Sequence, residues 1–332
     1  MNAIVMKIDE YIGYKDNPII TAPAIDKLSA VADLPDDPLC GVTYSVILDW
    51  IKNHEVGIAK GGSTSRYALG VKIHYPTKKG DPVHLKCPMI LVQITHPNCS
   101  KKQVRVEYNP AHMTEYGETY LDAMFTSMFG MEFYQFLFHC RFTRVDFCRN
   151  IVNRALEDYF IKSKWSKISQ CVFNSEGKLE TIYLGKCGGA NIKAYDKTKQ
   201  MHGQSSPHGT IRIEASCPIN LSINELAKFP NPFERVVVYS TTCSNPPLGE
   251  AHWRAFQDSC HLRGISNAIK RQPVKHRSTL KKAIFSQPVS WWNITPDDWD
   301  WLLIDALDNA GLLNIPNSAP PLTFKQAFGE GA

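Results

Sequence analysis

The sequence predicts an α+β fold, an antiparallel sheet covered by helices with a basic helical C-terminal region. Three observations predict it. Short runs rich in β-branched and aromatic residues recur between turn residues from about residue 65 to residue 215. One long stretch at helical spacing, residues 114–139, interrupts them. After Pro246-Pro247 the pattern changes to short helices. Strands that follow one another without regularly alternating helices pair antiparallel, which argues against a doubly wound sheet.

The elements follow in order. Residues 1–62 are mixed, broken by Pro18, Pro23, Pro35 and Pro38, and form an N-terminal region without an assigned role. Residues 46–51 read as a strand or a short helix, and Gly61-Gly62-Ser63 as flexible punctuation. Residues 67–74, 89–95 and 103–108 are strands, the last stopped by Asn109-Pro110. In 114–139, Tyr120, Leu121, Met124, Phe125 and Met128 line one helical face. Residues 142–148 are a strand and 154–163 a helix. Strands follow at 168–173, 181–184, 192–195 and 210–215, with turns at Asn174–Gly177 and around Gly185, Gly188 and Gly189. The predicted helices beyond residue 246 cover 251–260, 264–272, 279–286 and 297–309. Thr295-Pro296-Asp297-Asp298 is a helix start: a hydroxyl cap, proline at the first position, acids in the first turn. The domains are therefore 1–62, an α+β body at 63–245, and a helical region at 246–332.

Composition removes several classes. With 332 residues, 43% apolar and 21% charged, the chain is globular rather than disordered or fibrous. No apolar run reaches the ~18 residues of a membrane span, and Lys7, Asp9 and Glu10 break the start of any signal peptide. A cytoplasmic protein without a membrane partner is expected. Ten cysteines without a C-x-x-C pair read as reduced core thiols. His96, His112 and His139 are isolated, and no His-hydrophobe-His motif offers a metal site.

Strand residues two apart share a face. Arg144 with Asp146, Arg212 with Glu214, and Lys193 with Tyr195 and Lys197 are such sets. Val145, Phe147, Ile211, Ile213 and Ala194 form the opposite, buried faces. If these strands are neighbours, a tyrosine, two carboxylates and several cations meet on one side of a sheet. A tyrosine hydroxyl can attack a phosphodiester, and carboxylates can hold Mg²⁺ or Mn²⁺. Taken singly, each of these motifs is ordinary: a packed tyrosine or an ion-paired strand face.

Their order carries a resemblance. Thr181-Ile182-Tyr183-Leu184-Gly185, then Ile192-Lys193-Ala194-Tyr195-Asp196-Lys197, then Arg212-Ile213-Glu214 resemble the replication initiation proteins of rolling-circle plasmids and filamentous phages, of the Rep_trans type. Arg144-Val145-Asp146 and Arg105-Val106-Glu107-Tyr108-Asn109-Pro110 also match, so the likeness covers about residues 65–240. It departs at Lys186-Cys187-Gly188-Gly189, where many relatives carry Arg or Ser.

The resemblance implies a nickase. Tyr195 is then the nucleophile, leaving a 5′-phosphotyrosine and a free 3′-hydroxyl primer, and Lys197 is its basic partner. Asp146 and Glu214 are the metal-site acids for Mg²⁺ or Mn²⁺, and a strand bulge would add Asp196. Lys193 balances charge or contacts DNA, and Arg144 and Arg212 orient carboxylates or contact DNA. The partners implied are origin DNA with a partly unpaired hairpin, and a host helicase and polymerase; a homodimer is left open. Tyr183 and Tyr108 are the nearby tyrosines for a second cleavage. The same chemistry would serve a mobilisation relaxase or single-strand transposase, and a non-catalytic origin-binding protein could retain the sheet.

The net charge of +5 is unevenly spread. Residues 251–287 hold Arg254, Arg263, Lys270, Arg271, Lys275, Arg277, Lys281 and Lys282 against the single acid Asp258. Beyond residue 288, Lys325 stands alone against Asp297, Asp298, Asp300, Asp305, Asp308 and Glu330. The basic segment is expected to grip DNA phosphates. Trp291, Trp292, Trp299 and Trp301 are expected to anchor the last helix in the core.

Overall fold

The computed structural model describes residues 18–33, 45, 57–60, 67–83, 87–95, 99–164, 166, 169–175, 179–185, 191–202, 209–241, 246–286 and 288–313. The strands are β1 (Ile19–Ile20), β2 (Ala24–Asp33), β3 (Gly57–Lys60), β4 (Tyr67–His74), β5 (Met89–Thr95), β6 (Gln103–Tyr108), β7 (Arg141–Val152), β8 (Tyr159–Ser163), β9 (Ser169–Phe173), β10 (Leu179–Leu184), β11 (Asn191–Asp196), β12 (Thr210–Leu221) and β13 (Val236–Ser240). The helices are α1 (Glu115–Phe129), α2 (Phe133–Phe138), α3 (Lys197–His202), α4 (Ile223–Leu226), α5 (Glu250–Arg263), α6 (Ile265–Arg271), α7 (Val274–Phe285) and α8 (Pro296–Asn309). The fold is α+β, and the strand pairings β1–β7, β2–β6, β2–β7, β3–β4, β4–β5, β5–β6, β8–β13, β9–β10 and β10–β11 are antiparallel. Among the described residues no helix is long and apolar enough to cross a membrane.

The chain divides into two compact units. The first is Met1–Ala22, Arg149–Glu214 and Phe233–Ile294; the second is Pro23–Cys148, Ala215–Pro232 and Thr295–Ala332. The division therefore falls inside two strands, at Cys148/Arg149 in β7 and at Glu214/Ala215 in β12.

In the second unit the strand order is β3–β4–β5–β6–β2–β7. Leu28, Ala30 and Ala32 of β2 are fully buried. The sheet thus takes in residues upstream of 63, and the expected boundary at residue 62 is not a fold boundary. Helix α1 buries Leu121, Met124, Phe125, Met128 and Phe129, a stripe one side wide. Thr114 caps its start by accepting from Gly117 N at 3.1 Å. Gly130, at φ 70°, ends it. The single helix expected over 114–139 is therefore two, and Asp122 Oδ1 holds the start of α2 by accepting from Phe133 N at 3.0 Å. Phe133 and Phe136 meet the Phe125 ring edge-on at 4.9 and 5.3 Å.

In the first unit the order is β12–β11–β10–β9, beside a two-stranded sheet of β8 and β13. The register sets Thr181 opposite Tyr195 and Tyr183 opposite Lys193. Helices α5, α6 and α7 enclose a core of Trp253, Phe256, Cys260, Ala268, Ile269, Leu280 and Ile284, closed by Phe160 and Tyr239 from the two-stranded sheet.

The helix expected over 154–163 is absent. Leu156–Asp158 is one 3-10 turn and β8 follows, paired with β13 from Tyr159↔Ser240 to Ser163↔Val236. Pairing with a distant strand overrides local propensity here. Residues 46–51, Gly61–Ser63, Lys186–Gly189 and the tail beyond 313 lie outside the described residues. Trp292 and Trp299 are buried as expected, but Trp301 is 80% exposed. It sits two residues from Trp299 on α8, and positions two apart on a helix face different ways.

Candidate functional site

Strand β11 alternates cleanly. Ile192 and Ala194 are buried, while Lys193 and Tyr195 are half-buried on the other face. Strand β12 repeats the pattern, with Ile211 and Ile213 buried. Glu214 is also buried, at 4% exposure. A buried carboxylate needs partners, and Glu214 has two. The Tyr195 hydroxyl donates to Oε1 at 2.5 Å, and Lys193 Nζ donates to Oε2 at 2.9 Å. Both carboxylate oxygens thus carry a donor, and the lysine offsets the charge.

The other predicted residues lie as follows. In the second unit, Arg144 grips Asp146 with both arms, Nε to Oδ1 at 2.8 Å and Nη2 to Oδ2 at 2.6 Å. Asp146 is 2% exposed, and Arg144 Nη2 also reaches Ser216 Oγ at 3.3 Å. In the first unit, Arg212 Nε donates to Asn150 Oδ1 at 2.9 Å. Lys197 leaves the strand and opens α3, with Nζ on Gln200 Oε1 at 2.7 Å. Asp196 Oδ1 accepts from Lys199 N at 2.8 Å, a helix-capping bond. The expected roles are thereby redistributed: Lys193 is the lysine on the tyrosine's carboxylate, Lys197 sits on a helix, and Asp196 caps that helix. No register shift interrupts the β10–β11 pairing from Ile192 to Tyr195.

The sequence reading missed a second ion pair beside this face, Lys199 with Glu180. It also missed the bond from Thr210 N to Thr198 Oγ1 at 2.7 Å, which ties the start of β12 to α3. The signal was legible: Asp196 followed three residues later by a helical backbone N–H is a capping pattern.

Of the two tyrosines kept for a second cleavage, Tyr108 is 3% exposed and burial pushes its pKa well up. It is a core residue, ring-to-ring with Phe133 at 5.2 Å. Tyr183 is 37% exposed, and as Lys193's cross-strand partner it shares the tyrosine face.

Among the described residues no group of three or more His, Cys, Asp and Glu could hold a metal. Single carboxylates remain. Each oxygen of Glu214 and Asp146 has one donor, and a carboxylate oxygen has lone-pair capacity for a second partner. Hard oxygen donors suit Mg²⁺ and Mn²⁺.

The basic segment forms α5–α7 in the first unit. Lys270, Arg271, Lys275, Lys281 and Lys282 are exposed, as are Arg254 and Arg263. Arg277 is half-buried, and its Nε donates to Gln272 O at 2.8 Å, bracing the turn between α6 and α7.

The comparisons with known proteins are remote. A rolling circle replication initiator protein from Geobacillus stearothermophilus is similar at 15% identity and a TM-score of 0.35, over 74% of this chain and 98% of that chain. The di-domain ARO/CYC BexL from the BE-7585A biosynthetic pathway is similar at 10% identity and a TM-score of 0.15, over 81% of this chain and 100% of that chain. No family model matches the chain. No curated protein matches it.

Proposed function

We propose that this protein initiates rolling-circle DNA replication by nicking one origin strand with Tyr195. The bond from the Tyr195 hydroxyl to buried Glu214 carries the reading. A nucleophile held by a carboxylate acceptor has its oxygen oriented and its proton already directed away. The ordered motifs around Tyr195 and Glu214, which resemble those of rolling-circle initiators, give this geometry its biological context.

In the proposed reaction Tyr195 Oη attacks the scissile phosphorus and its proton passes to Glu214. The Oη–P bond forms, the P–O3′ bond breaks, and the departing 3′ oxygen takes up a proton from water. The products are a 5′-phosphotyrosine and a 3′-hydroxyl primer, and reversal of the same steps rejoins a strand. Lys193 holds Glu214 aligned through its bond to Oε2. By the resemblance alone, the carboxylates of Glu214 and of Asp146 would be the oxygen donors for Mg²⁺ or Mn²⁺. A divalent cation there would neutralise charge developing on the phosphoryl oxygens. Arg144 holds the Asp146 carboxylate in one orientation. Exposed Lys270, Arg271, Lys275, Lys281 and Lys282 grip phosphates of the origin duplex.

The test uses supercoiled DNA bearing the cognate origin, with Mg²⁺ or Mn²⁺. A nicked circle with protein on its 5′ end is expected, and Tyr195→Phe should abolish that adduct while DNA binding persists. Normal nicking by Tyr195→Phe would reassign the nucleophile. A wild type that binds the origin and never nicks with either metal would make the protein a binding factor.

A further inference from the structure

We propose that a cavity in the first unit, away from Tyr195, takes a single nucleotide, with the base inward and the phosphate at the mouth. The cavity holds about 470 Å³, within the range of small-ligand sites. Strands β8, β9 and β10 form one wall; the end of α5 and the start of α6 form the other.

Its lining is divided by chemistry. The inner surface is apolar: Phe160, Ile161, Ile182, Leu184, Cys260 and Ile265. All six are under 9% exposed. Toward solvent stand Lys162, Lys164 and Lys270 with the hydroxyls of Ser166, Ser169 and Ser266. Among the described residues no Asp or Glu lines the cavity. Lys162 Nζ lies 4.4 Å over the Phe285 ring, so Lys164 and Lys270 are the cations at the mouth. Both are exposed, and neither forms an ion pair among the described residues. An apolar slot with an uncompensated cationic rim selects a ligand with a flat apolar body and an anionic end. A phosphate answers lysines and hydroxyls together through charge-assisted hydrogen bonds. The ring of His261, from the helical wall, stands 5.6 Å from that of Phe160 on the strand wall. Burial lowers its pKa, and one ring N–H donates to the Glu157 carbonyl, so the other nitrogen of the neutral imidazole can accept from a base edge.

The nucleotide has two sources: a free nucleoside monophosphate, or one unit of an unpaired DNA strand. The second source rests on the nicking reading; the first does not. The full chain is titrated with thymidine 5′-monophosphate by calorimetry and with labelled oligothymidylate by anisotropy. The variants are Lys164→Glu with Lys270→Glu, and Ser266→Trp to fill the slot. Lys101→Glu with Lys228→Glu repeats the charge change elsewhere. Both pocket variants should weaken mononucleotide binding by about tenfold or more, and the control by less than about twofold. Displacement of the oligonucleotide by the mononucleotide supports the strand source; independent binding of the two supports the free nucleotide. Mononucleotide affinity that is undetectable, unchanged in the pocket variants, or exceeded by that of laurate overturns the proposal. The adduct assay with Tyr195 separates the two readings. A nicking protein without nucleotide binding keeps the function and loses the pocket, and a nucleotide-binding protein that never nicks does the reverse.

Discussion

Tyr195 and Glu214 come from neighbouring strands of the first unit and meet at 2.5 Å, hydroxyl to carboxylate. Glu214 is buried and shared with Lys193. Glu214→Gln keeps the shape and removes the proton acceptor. Adduct formation should slow by about a hundredfold or more, the usual span of general-base loss. A time course of covalent adduct under saturating DNA measures it, and an unchanged rate would remove Glu214 from proton transfer.

Lys193 and Lys197 separate by the same logic. Lys193→Met leaves Glu214 without its cation, whereas Lys197→Met removes a bond to Gln200 on a helix. The larger fall in nicking rate is expected from Lys193→Met, and the order of the two rates checks the redistribution of roles.

Asp146 is held by two bonds from Arg144 and is buried. Asp146→Ala should destabilise the fold by about 1–3 kcal/mol, because a charge-assisted partner is lost. Chemical unfolding of Asp146→Ala and of the double variant with Arg144→Met measures it. The double variant should recover part of the loss, since the stranded cation is gone.

Four exposed cations, Lys270, Arg271, Lys281 and Lys282, are expected to contact phosphates. Replacing all four by Gln should reduce the salt slope of origin affinity by about 3 to 4, at roughly 0.9 per phosphate contact. If neither affinity nor slope changes, these helices present only a solvated surface.

Two tryptophans on α8 give a stability contrast. Trp299 is buried against Phe147 at 5.6 Å and its Nε1 donates to Phe229 O at 2.7 Å. Trp299→Ala should cost about 3–5 kcal/mol. Trp301 is 80% exposed, so Trp301→Ser should stay within about 0.5 kcal/mol of the wild type. Thermal unfolding of both variants decides it.

The motif strands were legible because period-two patterns with β-branched residues leave few alternatives, as in Ile192-Lys193-Ala194-Tyr195 and Thr210-Ile211-Arg212-Ile213. The start of α8 was legible because Thr295 and Pro296 make a local signal. What local sequence cannot state is long-range pairing. Tyr159–Ser163 reads as helix until Val236–Ser240 pairs with it. Ala24–Asp33 looks peripheral until Gln103–Tyr108 and Arg141–Val152 flank it. Within the site, period two carried the strand one residue too far. Asp196 turns the chain into α3, and Lys197 leaves with it.

The two strands split between units have a consequence for dissection of the gene. A fragment from residue 149 to 294 would retain Tyr195, Glu214 and the basic helices, yet it would also carry residues 215–232, which belong to the other unit. Phe229 would lose both the Phe147 ring it stacks on at 5.7 Å and the Trp299 indole. Ile223 and Leu226, buried in the whole chain, sit on the same detached excursion. Such a fragment also lacks Ile19 and Ile20, the partners of Val152 and Ile151. Loss of DNA binding or nicking by such a fragment would therefore report misfolding, whichever residues touch DNA.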